Sequence, residues 1–434
     1  MSQILSTYDN NVACPLHVHE ESDLNNLDKI AGKRIKWLCE SSGNLLVFPR
    51  DLGEYGDQIG DGVIFETDGD KLYTNNIMGF IGIGDTQLKI GSRFDQGRDD
   101  LFMQYMLERV FSINMLDLQY SFNQDIIFDF MLFLFPYFLK KALGQGIYKS
   151  YRTFERNDMK LRGVLDVSRH IRLNIPITTA VAYRTREQTY DNEITQLIRH
   201  TIEYIRKSQY ASAILSNDDE TKACVAQIVA ATTTYQSRDR LTIINKNLRP
   251  NIHPYYSEYE PLRRLCLQIL RHEEIKYGEE KERVYGVIFD GAWLWEEYLA
   301  TILVPLGIRH PMNKIGTGGF SLFTNNKAWR FPDFIGDGIV LDAKYKQYGK
   351  TAVWDINRED LAQVISYMYV EQARLGAILC PGNQDLASSE AELRGYGHKM
   401  VRLALPISKQ SAYREFREEM LVNETTFANY IRNL

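Results

Sequence analysis

The stretch Trp329–Tyr348, WRFPDFIGDGIVLDAKYKQY, constrains this chain more than any other. Two β-like runs, Trp329–Ile335 and Ile339–Tyr345, flank Gly336-Asp337-Gly338, a strong signal for a tight turn. A hairpin centred near Asp337 sets Asp333 opposite or diagonal to Asp342, with side chains within ~4.5–8 Å. Lys344 stands two residues past Asp342, so strand alternation points it to the same face. Two carboxylates and an ammonium converging there are unfavourable without an occupant. Mg²⁺ suits them, because it binds through one or two carboxylates, keeps several waters and takes substrate phosphate. Such an ion lowers the pKa of a bound water and stabilises charge in phosphoryl chemistry. Lys344 then orients the attacking water, helps deprotonate it, or stabilises the developing charge; the sequence leaves all three open. The bland alternative is a structural, salt-bridged hairpin.

The D…DxK spacing recurs easily by chance, so its neighbours carry the specificity. Upstream, the helix starting near Asp290 (DGAWLWEEYLATIL) offers Glu296 and Glu297, one of which can supply a third carboxylate. Downstream, Asp360–Val370 reads as a helix with Gln363 and Tyr367 one turn apart, and Gly376–Pro381 as a further strand. This order resembles the PD-(D/E)xK nuclease superfamily, in particular members with a QxxxY element. The resemblance implies catalytic roles for Asp333, Asp342, Lys344 and Gln363, and a metal held by Glu296, Asp333 and Asp342. Glu296 fits the helix position better than Glu297, because it follows Leu294-Trp295 and so resembles the Leu-Phe-Glu pattern of those proteins.

At 434 residues, 44% hydrophobic and 25% charged, the chain has the make-up of a globular protein of roughly three domains. Cys14, Cys39, Cys224, Cys266 and Cys380 form neither a disulfide framework nor a CxxC zinc site, so a cytoplasmic location is expected. The start, MSQILSTYDN, shows no signal peptide. The most apolar run, Ile126–Leu139, is too short to span a bilayer and contains Asp129 and Pro136, so it reads as a core helix and no membrane partner is expected.

Three blocks emerge. Residues 1–120 are β-rich, with Leu45–Phe48, Gly62–Phe65, and Gly79–Ile83 paired across Gly84-Asp85 with Gln87–Ile90. Residues 121–283 read as mostly helical: Asn192–Lys207 carries Ile194, Leu197, Ile198, Ile202 and Ile205 at helical spacing, and Pro261–Glu274 follows suit. The charged stretch His272–Arg283 marks a boundary before 284–434, which alternates helix and strand. The expected class is α+β multidomain: a β-rich N-terminal domain, a mostly helical middle domain and a C-terminal α/β nuclease domain.

The net charge of −5 argues against a generic nucleic-acid binder, but its distribution is uneven. Lys140–Arg186 holds eleven Lys or Arg against Glu155, Asp158 and Asp166, a local balance of +8. Tyr148, Tyr151, Phe154 and Tyr183 are interleaved, as a phosphate-tracking surface with stacking rings requires. Arg162, Arg169 and Arg172 are its candidate DNA contacts. A solvated, salt-bridged face is the competing reading.

Further pieces narrow the family. GFIGIGDTQLKIGSRF (Gly79–Phe94), MKLRGVLDVSRHI (Met159–Ile171) and YRTREQTYDNEITQLIRHTIEYI (Tyr183–Ile205) precede WLWEEYL and RFPDFI…LDAKYK. Together they resemble the McrC family, the nuclease subunit of McrBC-type 5-methylcytosine restriction systems, from about residue 60 onward. That resemblance implies an Mg²⁺-dependent endonuclease acting in phage defence on double-stranded DNA, methylated DNA included. It also implies an McrB-like AAA+ GTPase partner, a hexameric ring engaged by the N-terminal domain and stimulated in its hydrolysis. The chain has no GxxxxGK[ST] loop of its own, since Lys344 stands where the first glycine before Gly349-Lys350-Thr351 belongs, so GTP is expected on the partner. One metal site cuts one strand, so a double-strand break implies self-association through the nuclease domain.

Two other function classes compete: a non-catalytic adaptor that activates the motor, and a stand-alone RecB-like exonuclease. Other signals read as structural. Cys14, His17, His19, Glu20 and Glu21 are taken as a polar loop, His170 and His200 as surface or capping residues, and Gly316–Gly319 as a loop before the strands.

Overall fold

The computed structural model describes residues 4–15, 21–42, 44–49, 59–69, 71–95, 100–113, 126–176, 179–249, 252–272, 284–311, 318–348, 352–382, 387–395 and 397–434. His17, His19 and Glu20, the charged stretch after His272, Gly316-Thr317 and Gly349-Lys350-Thr351 lie outside them. The chain divides into two compact units, residues 1–129 with 273–434, and residues 130–272. The three-block reading separates 1–120 from 284–434, whereas the first unit contains both.

The reason is one strand. Val284–Asp290 runs antiparallel to Ile77–Ile83 on one side and parallel to Asn44–Phe48 on the other. Thr86–Gly91 and Leu5–Tyr8 complete this five-stranded sheet beyond Ile77–Ile83. Every residue of Ile77–Ile83 and of Val284–Asp290 is buried, the signature of strands covered on both faces. The two backbones approach closely at Gly79 and Gly286, whose φ angles are +129° and +141°. A Cβ at either would collide with the facing strand, at the carbonyls of Val287 and Phe80, so only glycine fits.

A second five-stranded sheet runs in the order Phe334–Gly336, Ile339–Ala343, Leu375–Gly382, Lys399–Pro406, Ala387–Glu392. Its three central strands are parallel, and the helix Arg358–Glu371 makes the crossover between the first two of them. Asp290 caps the helix Gly291–Leu303 by accepting the Trp293 N–H at 2.7 Å. That helix buries Trp295, Tyr298 and Leu299. Glu424, on the helix Tyr413–Arg432, is buried and accepts from Tyr105 and Tyr298 at 2.8 Å each, with Arg109 3.1 Å away.

The second unit is mostly helical, with one exception. Its basic segment forms a three-stranded antiparallel sheet, Ser150–Asp158, Val181–Thr189 and Val164–Leu165, plus the short helix Val167–Asn174. Alternation of rings and β-branched residues with charges in SYRTFERND and VAYRTREQT favours extended backbone over helix. Asn192 caps the helix Glu193–Ile205 with a capping box shared with Thr195. Among the described residues no cysteine forms a disulfide. Among the described residues no helix is long and apolar enough to cross a membrane.

Candidate active site

The hairpin of the second sheet builds the site. Phe334 faces Leu341, Ile335 faces Val340, and Gly338 turns the chain at φ +69°. Continued by one residue, that register sets Asp333 against Asp342. The first strand is shorter than the sequence suggests, because Pro332 has no N–H to give a ladder. Trp329–Arg330 instead pairs with Phe320–Ser321 in a separate two-stranded ribbon. Asp333 therefore sits just before the strand Phe334–Gly336, and its Oδ2 accepts the Ala343 backbone N–H at 2.7 Å.

Asp342 is 1% exposed and Asp333 8%. Burial pushes the Asp342 carboxyl up to about 7, with the Asp333 charge adding and Lys344 opposing. Lys344 gives its backbone N–H to the Leu379 carbonyl at 2.8 Å. Its Nζ lies 2.7 Å from Asp342 Oδ2 and donates to Gln363 Oε1 at 3.0 Å. Burial pulls the Lys344 ammonium down, but the carboxylates of Asp342, Asp333 and Asp360 outweigh it and raise its pKa.

The helix Arg358–Glu371 fixes the lysine's partner. Gln363 Nε2 donates to the Tyr367 hydroxyl at 2.6 Å, and Tyr367 donates to the Phe331 carbonyl at 3.4 Å. With its oxygen thus turned to Lys344, the Gln363 amide has one orientation that satisfies both neighbours. Sequence reasoning missed Asp360 on the same helix. It accepts from Lys346 Nζ and Tyr348 Oη at 2.9 Å each, and lies 4.0 Å from Lys344 Nζ. Burial acts to raise its pKa, but those hydrogen bonds and the lysine charges prevail and lower it.

Glu296 is buried on the helix Gly291–Leu303. Its Oε1 lies 4.0 Å from His310 Nε2, as does Oε1 of the more exposed Glu297. His310, also missed from sequence, donates through Nδ1 to the Asp333 carbonyl at 2.8 Å and stacks on Phe334 with ring centroids 4.8 Å apart. Burial works against its charged form, but Glu297, the Asp333 carbonyl and Glu296 outweigh it and lift the pKa to about 9. Asp333, Asp342, Lys344 and Gln363 are thus brought together, and Glu296 reaches them by way of His310. Among the described residues no three His, Cys, Asp or Glu side chains already form a metal cage.

The three arginines lie in the second unit and differ from one another. Arg162 is 69% exposed, 3.9 Å from Asp158. Arg169 is largely covered, 3.5 Å from Glu155 and donating to the Arg156 carbonyl at 3.3 Å. Arg172 is exposed and forms no ion pair with a described residue. Arg184 pairs with Glu155 and Asp166, and Arg156 with Glu187, one residue past the basic segment. Tyr148 and Tyr183 are buried, so they supply no stacking platform. Tyr151 is exposed, with Arg186 4.8 Å above its ring.

Residues 72–380 match the family described as McrBC 5-methylcytosine restriction system component. No curated protein matches significantly. Among solved structures, a chain of the refined half-complex from the tetradecameric assembly of Thermococcus gammatolerans McrB AAA+ hexamers with bound McrC is similar to this one. The TM-score is 0.50 at 16% identity, covering 97% of this chain and 100% of that one. A chain of the cryo-EM T. gammatolerans McrBC complex aligns over 70% of this chain and 87% of its own, at 15% identity and a TM-score of 0.33. With the family match spanning well over half its length, the chain belongs to the McrBC 5-methylcytosine restriction system component family.

Proposed function

We propose that this chain is the McrC-like endonuclease subunit of a modification-dependent restriction system, hydrolysing DNA phosphodiester bonds with Mg²⁺. The observation that carries the reading is the buried pair Asp333 and Asp342 with Lys344 Nζ against it. Salt-bridged hairpins for stability alone have little reason to bury two carboxylates beside one lysine, since desolvation outweighs what a single cation returns. The donor set fits Mg²⁺: two carboxylate ligands, one of them pushed toward neutrality by burial and by the charge of the other. Asp342 and Asp333 would hold the ion, with Glu296 as the third carboxylate. When bound, it would supply Lewis-acid polarisation of the phosphate and a water of lowered pKa.

The chain's own groups then have separate work. Lys344, freed from Asp342 but still held by Gln363, presents its ammonium to a phosphate oxygen or to the attacking water. Gln363 keeps that ammonium in place through its bond to Tyr367. Asp360 maintains the lysine's charge from 4.0 Å. Of the three candidate arginines, Arg172 and Arg162 are better exposed than Arg169 to meet DNA phosphates.

The related T. gammatolerans assembly holds McrB AAA+ hexamers with bound McrC, which supports an McrB-like AAA+ GTPase as partner. The test is cleavage of methylated and unmethylated circular plasmid with Mg²⁺ and GTP, for wild type and Asp342→Ala, with and without that partner. Cutting by wild type plus partner alone supports the reading. Restriction that survives in Asp342→Ala moves the adaptor reading forward, and end-dependent digestion without partner favours a RecB-like exonuclease.

A further inference from the structure

We propose that His310 is a positioning residue of this site, joining the Glu296 helix to Asp333 so that both carboxylates are held ready for the cation. The proposal rests on the nuclease reading above. Its warrant is the geometry around one imidazole. A carbonyl can only accept, so the 2.8 Å contact with the Asp333 carbonyl fixes Nδ1 as a donor. That leaves Nε2 to face Glu296 and Glu297, 4.0 Å from each. Stacking on Phe334 holds the ring plane.

The backbone delivers the residue there. After the helix Gly291–Leu303 and one 3-10 turn, Gly307 takes φ +86° and reverses the chain. Arg309 and Ile335 then exchange both backbone hydrogen bonds at 2.9 Å, pinning this segment beside the strand Phe334–Gly336. The connection that ends the Glu296 helix is therefore the one that places His310 on Asp333. This matters because Asp333 lies outside the hairpin's ladder: its backbone is steadied by the imidazole, its side chain by Ala343 N–H. Partners of this kind, one step behind the ligands, set ligand orientation in metal sites, and their loss weakens metal binding about 10–100-fold.

The experiment uses the full chain and Mn²⁺ alone as probe, its binding followed by electron paramagnetic resonance, with melting temperature recorded alongside. His310→Phe keeps the stack and loses the donor; binding is expected to weaken about 10–100-fold. His310→Asn, whose amide N–H replaces Nδ1–H toward the Asp333 carbonyl, should recover most of that loss. A merely structural role would make Phe, the better-packing substitution, the milder of the two. Wild-type Mn²⁺ affinity in His310→Phe, or equal affinities in the two variants, overturns the proposal. Asp342→Ala separates the two claims. If it abolishes Mn²⁺ binding while His310→Phe does not, only the positioning role fails; if it leaves binding intact, the nuclease reading fails first.

Discussion

On the sheet of the second unit, formed by Ser150–Asp158, Val181–Thr189 and Val164–Leu165, the arginines stand largely in solvent. Most lie within 4 Å of a carboxylate or over a ring: Arg184 against Asp166, Arg156 against Glu187, Arg186 over Tyr151. In the hairpin of the first unit, two carboxylates and one lysine are nearly hidden from water and lean on one another. A count of charges along the sequence favours the first region, with its +8 over Lys140–Arg186. The physics favours the second. Exposed charges are screened and paired at little net gain, whereas the same charges in a low dielectric interact several-fold more strongly and shift one another's protonation. Where charge does chemistry is decided by burial and unequal pairing.

The sharpest way to break this contrast is at Asp342. Under the proposed function, Asp342→Ala should lower partner-dependent plasmid cleavage by about 10³-fold or more, since that reading makes Asp342 a ligand at the reacting centre. A loss under tenfold in a gel-based nicking assay would put the site elsewhere. Next is the buried charge that serves structure alone. Glu424→Ala strands Arg109 and two tyrosine hydroxyls, and should cost about 3–5 kcal/mol in urea unfolding. A cost below 1 kcal/mol there would mean that burial alone does not separate the two regions.

Asp95 tests the same principle through pH. It is buried, accepts the Phe102 N–H at 2.7 Å, and burial lifts its carboxyl to about 8. The folded protein thus holds a proton that the unfolded chain releases near pH 4. Stability from this group is full below about pH 4 and is lost as pH climbs through 8. Wild type should lose more melting temperature between pH 6 and 9 than Asp95→Asn does; parallel curves would refute the assignment.

The exposed region should respond more weakly. Reversing Arg162, Arg169 and Arg172 to Glu should reduce the salt dependence of DNA binding by one or two phosphate contacts' worth, about 0.9 in log–log slope each. Arg172 should account for most of it, and Arg169, already committed to Glu155, for least. An unchanged slope removes DNA from this face. Smallest of all, Glu187→Ala should leave the urea unfolding midpoint close to that of wild type, its pairing with Arg156 being half in water.

The legible parts of the site are those encoded locally. Gly336-Asp337-Gly338 fixes where the hairpin turns, so the register that opposes Asp333 to Asp342 follows from the sequence. Gln363 and Tyr367 fall one helical turn apart for the same kind of reason. His310 was invisible because its partners are a backbone carbonyl 23 residues on and a carboxylate on the preceding helix. Asp360 was invisible because nothing local distinguishes it from any acidic residue in a first helical turn. The one cue was the density of charged and hydroxyl groups in KYKQY (Lys344–Tyr348), more than a single carboxylate pair needs. For the fold, the missed strand Val284–Asp290 is a β-branched apolar run that reads as strand once seen. That it belongs between Ile77–Ile83 and Asn44–Phe48 is a matter of long-range pairing, which no window of sequence contains.

That strand also sets a schedule. On the ribosome, residues 130–272 emerge as one uninterrupted piece, while Asn44–Phe48, whose neighbour among the described strands is Val284–Asp290, must wait about 240 residues for its partner. Throughout that interval two apolar strand edges stand open to pairing with another nascent chain. Vectorial synthesis thus offers the insert before its host. The yield of this protein on fast expression should hinge on how long those edges stay covered, a quantity set by translation rate and chaperone capture rather than by the stability of the finished fold.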